Sequence, residues 1–158
     1  VYKRQHPRYL APVKGSSQLN LLLNAVYDLD TTRRTADYEA AASQLLARQK
    51  RRALVIVVSN LRDEDDEALL SAVKRISRQH RVLVASMREE VLDLLRQSPV
   101  QTLPEALAYS GTVDYLNMRD ELHDRLNAHG LSVLDTLPSA MGAALVTRYL
   151  GWKKAGVF

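Results

Sequence analysis

The sequence predicts an α/β domain: a Rossmann-like, doubly wound, mostly parallel sheet. Three observations carry that prediction. Residues 53–58 and 82–86 are apolar almost without interruption and rich in β-branched side chains, the pattern of strands covered on both faces. The segments around them repeat apolar residues at helical spacing. The elements then follow as α-α-β-α-β-α-α-β-α, an order that right-handed crossovers wind into a parallel sheet.

Residues 1–15 read as an arm, because Pro7 and Pro12 break any helix; residues 9–13 are expected as a short edge strand. From Ser16 or Ser17, read as N-caps, Leu19, Leu22, Leu23 and Val26 recur at helical spacing, and the helix is expected to end near 28–31. A polar loop, 31–36, leads to Asp37, which is expected to cap a second helix bearing Tyr38, Ala41, Ala42, Leu45 and Leu46.

The strand at 53–58 follows, and its two apolar faces predict a place in the middle of the sheet. The acidic run 63–67 opens the next helix, where negative charge complements the dipole; Leu69, Leu70, Val73 and Ile76 are its buried stripe. After the strand at 82–86 comes a short helix, 89–96, with Val91, Leu92 and Leu95, and a connector, 99–104. One long helix carries Leu107 to Leu126, is expected to loosen at Ser110-Gly111, and ends at Gly130. The third strand is 131–134, and a last helix starts after Pro138 and stops near Gly151.

The 158 residues suit one compact domain, and the absence of cysteine excludes disulfides, thiolate metal sites and cysteine nucleophiles. Net charge is +4 from 22 bases and 18 acids, but Lys3, Arg4, Arg8 and Lys14 sit in the arm, leaving 18 against 18 elsewhere. A nucleic-acid partner is therefore not expected, since no dense basic face interleaved with aromatics is present. The first residue is Val, and three strands are few for six helices. Both lead to the expectation that 16–158 is the C-terminal part of a larger α/β domain, truncated at its N-terminus.

Ligands of open parallel sheets bind outside the carboxyl ends of the strands. That rim would be furnished by Ser59, Asn60, Arg62 and Asp63, by Met87 and Arg88, by Asp135, and by the loop 33–37. No phosphate-binding glycine motif and no nucleophile elbow occurs. The acidic run 63–67 lacks the glycine of a calcium loop and reads as a helix start. His6, His80, His123 and His129 are read as structural or solvated, with His80 at the end of the sheet opposite the rim.

Several segments in order resemble one family: Leu10-Ala11-Pro12-Val13-Lys14-Gly15, Asp37-Tyr38-Glu39-Ala40, residues 53–61, His80-Arg81-Val82-Leu83-Val84-Ala85-Ser86, and Val146-Thr147-Arg148-Tyr149-Leu150-Gly151-Trp152-Lys153-Lys154. They are similar to the C-terminal portion of the domain-of-unknown-function-58 family, from about residue 8 to the end, with residues 1–5 outside the likeness. The resemblance implies a bacterial domain of von Willebrand factor A type. Such domains hold a divalent cation at the rim through an Asp-x-Ser-x-Ser loop, a Thr and an Asp. Here the loop would lie before residue 1, Thr35 matches the Thr, and Asn60 stands in place of the Asp.

A neutral amide in place of a carboxylate weakens a site for a hard cation. No metal or other cofactor is therefore expected in this chain, and Mg²⁺ is left only to a longer parent protein. The resemblance further implies a non-catalytic interaction or adaptor module working with a MoxR-type AAA+ ATPase, with Thr35, Asp37, Asn60, Arg62 and Arg88 at the partner-binding face. It implies a cytoplasmic place, at the inner-membrane face where upstream segments supply an anchor. The alternative is a small Rossmann-like hydrolase with part of its site upstream, for which Asp63, Asp135 and His80 are the first suspects. A scaffold without a site of its own is the third reading.

Overall fold

A computed structural model describes residues 9–11, 15, 17–28, 36–61 and 66–157. By its contacts the chain divides into two compact units, Val1–Ala36 and Asp37–Phe158.

In the first unit Gly15, at φ +105°, accepts from the amide of Gln18 at 3.4 Å where helix α1, Ser17–Val26, begins. The periodicity correctly marked a helix, and its apolar residues stay open: Leu19 is 61% and Leu23 54% exposed. Tyr9, Leu10 and Ala11 are not part of a strand. The rest of the expected 9–13 strand, the loop 31–35 and the acidic run up to Asp65 lie outside the described residues.

The second unit runs α2 (Tyr38–Arg48), β1 (Leu54–Ser59), α3 (Asp66–Ser77), β2 (Arg81–Met87), α4 (Glu90–Gln97), α5 (Leu103–Ala128), β3 (Ser132–Thr136) and α6 (Pro138–Lys154). The three strands are parallel, in the order β1-β2-β3. This is a mixed α/β fold of Rossmann-like kind, with the element order that the sequence predicts.

Register explains the core. Val55 pairs with Val82, and Val57 with Val84, which pairs in turn with Val133, so these valines share one face. Against it pack Ala42 of α2, Leu69, Val73 and Ile76 of α3, and Leu122 and Leu126 of α5. The opposite face is covered by α6, which lies against β2 and β3.

Position in the sheet is where the strand at 53–58 departs from expectation. β1 is a border strand among the described residues, and β2 is the buried centre, with Val84 and Ala85 at 0% exposure. The physical reason is pairing: β2 bonds a strand on each side while β1 bonds only β2 among the described residues, and Ile56 and Val58 of β1 stay 40% and 54% exposed.

Smaller departures concern helix ends. Pro104 belongs to the first turn of α5, where its missing N–H costs nothing, because Thr102 and Glu105 form a reciprocal capping box. The 26 residues of α5 run through Ser110-Gly111 without a break. Its far end closes on Gly130 at φ +72°, and α6 continues past Gly151 to Lys154. Among the described residues no helix is long and apolar enough to cross a membrane.

Candidate functional site

One row of the sheet changes from apolar to polar. Beyond the valines, at the carboxyl ends of the strands, Ser59 pairs in register with Ser86, and Ser86 with Asp135. The same face that buries valine side chains therefore carries two hydroxyls and a carboxylate one step further along.

α5 supplies the partners for that row. Arg119 and His123 are four residues apart and so project from one side of the helix. Arg119 is 4% exposed, and its guanidinium donates to Leu61 O at 3.2 Å, to Asp135 Oδ1 at 2.6 Å and to Ser86 Oγ. His123 Nε2 lies 3.3 Å from the same Ser86 Oγ. The fully buried Ser86 hydroxyl is thus shared by two side chains of one helix.

Arginine cannot accept, so Ser86 Oγ accepts from Arg119; toward His123 Nε2 it either donates its proton or accepts from an N–H, according to the tautomer of the ring. Burial, which disfavours the imidazolium, pulls the His123 pKa below its ordinary 6.5; Asp135, Asp120 and Asp124 oppose the shift and Arg119 adds to it. Beside the cluster, Tyr38 Oη and Ser59 Oγ are 3.1 Å apart, joining α2 to the end of β1.

The sequence-predicted candidates separate into three groups. Asp135 joins the cluster, and Ser59 meets Tyr38 at its edge. Asp37, Asn60, Met87 and Arg88 are described but stand outside it. Asp37 caps α2 by accepting from the amide of Ala40 at 2.8 Å, and Asn60 is half-buried just after β1. Arg88 ties its amide to Thr136 O at 3.0 Å and its guanidinium to Asp93 at 3.5 Å. Thr35, Arg62, Asp63 and the loop residues from Arg33 lie outside the described residues.

His80 is 3% exposed, immediately before β2, away from this rim as expected. Sequence reasoning missed Ser86, Arg119 and His123 as a group. The only signal was an arginine and a histidine four apart on an otherwise core-facing helix.

Chemically the arrangement is a mostly internal network: Arg119 Nε is buried without a partner, and Asp135 is partly open to solvent. The nucleophile-like Ser86 has no exposed surface, and Asp135 is paired with Arg119. A divalent cation does not fit these residues: Asn60 offers a neutral amide, and a buried guanidinium already neutralises Asp135. Among the described residues no three His, Cys, Asp or Glu side chains are grouped as metal ligands.

Comparison with known proteins gives one match. No curated protein and no solved structure matches the chain. The model of the family described as protein of unknown function DUF58 matches residues 1–102. The match includes residues 1–5, which the sequence resemblance had set aside. It stops at Thr102, the N-cap of α5, so Arg119, His123 and Asp135 lie beyond it. Covering well over half of the sequence, this match makes the chain a member of the DUF58 family.

Proposed function

We propose that the chain is a non-catalytic protein-interaction module, of von Willebrand factor A type and without a working cation site, whose partner is a MoxR-type AAA+ ATPase. The observation that supports this most is the Arg119–Ser86–His123–Asp135 network, whose serine hydroxyl is fully buried. At the end of the sheet where an enzyme of this architecture displays reactive groups, these side chains mainly bond one another. They brace a rim at whose border Asp37, Asn60 and Arg88 meet the partner. The partner class rests on the family resemblance, as do a cytoplasmic setting and any membrane attachment through upstream segments.

Capture of a purified MoxR-type AAA+ ATPase is the test. Wild-type protein is expected to retain it, and Arg88→Glu to weaken retention roughly tenfold, as reversal of a contact charge does. Equal retention by the variant would remove this face from the reading, and no retention by wild type would remove the partner.

The Ser86–His123 contact favours a second reading, a small hydrolase, on different residues from those the sequence offered. Turnover of activated esters or phosphates that Ser86→Ala abolishes would move the function there.

A further inference from the structure

Two surfaces of the second unit are apolar, exposed and of opposite charge. The first follows the chain through α4 into α5. Val91, Leu94 and Leu95 share one side of α4 at positions i, i+3 and i+4, and Val100 lies in the link. Leu103 and Leu107 then stand one turn apart at the start of α5, which packs against α4. Leu94, Leu103 and Leu107 are 65%, 73% and 66% exposed. Charge around them is acidic: residues 88–107 hold Glu89, Glu90, Asp93 and Glu105 against Arg88 and Arg96, a net of −2 in a chain whose net is +4.

The second surface is the outer side of α6. Met141 and Trp152 face inward, while Val146, Tyr149 and Leu150 are 58%, 42% and 47% exposed at i, i+3 and i+4. Lys153 continues that stripe at i+7. With Arg148 and Lys154 it gives the helix three bases and no acid.

We infer that the α6 face of one copy docks on the α4–α5 face of a second copy, head to tail. A contiguous exposed apolar patch rimmed by charge is the mark of an interaction site. The complement for each of these patches is present on the same chain: an apolar helical stripe flanked by the opposite charge. A contact between two different patches is heterologous, so each copy keeps one free donor face and one free acceptor face. The inference does not depend on the ATPase reading.

Sedimentation over a micromolar to near-millimolar series tests it. The weight-average mass of the wild-type chain is expected to rise with concentration and to fall in high salt, which screens the charged part of the contact. Leu94→Asp/Leu103→Asp and Val146→Asp/Leu150→Asp should each remain monomeric, with wild-type circular dichroism and affinity down roughly a hundredfold, as expected for a lost interface centre.

Mixed together, the two variants should form a 1:1 complex, because each retains the face the other has lost. A monomeric wild type at every concentration overturns the inference. So does a mixture that stays monomeric, or association that survives both variants and disappears with Val58→Lys on β1.

Discussion

Arg119 and Asp135 meet at 2.6 Å between Nη2 and Oδ1, with the arginine side chain only 2% accessible and the aspartate side chain 24%. The pair joins the inside of α5 to the end of β3. Only the arginine end is buried, so loss of the partly exposed aspartate leaves a desolvated guanidinium uncompensated.

Asp135→Ala is expected to lower the unfolding free energy by about 2–3 kcal/mol, the quarter-exposed carboxylate keeping it at the lower end of what breaking a buried pair costs. Urea denaturation of Asp135→Ala, Arg119→Met and the double variant gives the coupling, expected at about 1–2 kcal/mol. Strict additivity would mean that the two charges do not stabilise each other.

His123 sets a pH dependence. Its folded pKa lies below the ordinary 6.5 because burial disfavours the charged ring, so the folded protein binds that proton less readily than the unfolded chain. Stability from neutral His123 is fully present above 6.5 and is lost as pH falls through the folded value. Unfolding free energy measured below pH 6.5 should decline more steeply for wild type than for His123→Gln, and the ring carbon shifts should titrate below 6.5. A titration at or above 6.5 would contradict the burial of an unprotonated ring.

Thr102 is the start signal of α5. Thr102→Ala should cost about 1 kcal/mol, the usual worth of an N-cap hydroxyl. It should also let the Glu105 carboxyl, now held below its ordinary 4.5 by the backbone amides of Gln101 and Thr102 and by the Thr102 hydroxyl, rise partway back. Because that pKa is depressed in the folded state, the associated stability is present above 4.5 and lost as pH falls. Carboxyl carbon shifts of Glu105 across an acid titration check both statements.

β2, not β1, is the strand whose side chains carry the energetic weight of the sheet centre. Val84→Ala in β2 is expected to cost about 2 kcal/mol, since a fully buried side chain loses both transfer energy and packing. Val58→Thr in β1, half exposed, should change stability by less than about 0.5 kcal/mol. Equal costs would mean that β1 is covered as fully as β2.

Much of this architecture is legible in the amino acids. Period and β-branching placed all three strands and six helices in order, and Asp37 was recognisable as a cap from its place before an apolar stripe. Sheet position was not legible. The apolar residues of β1 look central, but lateral order depends on which strands pair, a long-range matter that no local pattern encodes. Family membership does not depend on that placement, because the match holds with β1 at the border. The polar cluster was legible only in Asp135. Ser86 passed as the polar end of a strand, and Arg119 and His123 as members of a helix face, because what unites them is register across strands and one turn of α5.

The length of α5 has a mechanical side. At 1.5 Å per residue its 26 residues form a rod of about 39 Å, with Leu103 at the tip outside and Arg119 clamped to the sheet within. No joint interrupts it at Gly111. Sixteen residues, about 24 Å of helix axis, therefore separate the exposed apolar start of α5 from the clamp that holds Ser86 and Asp135.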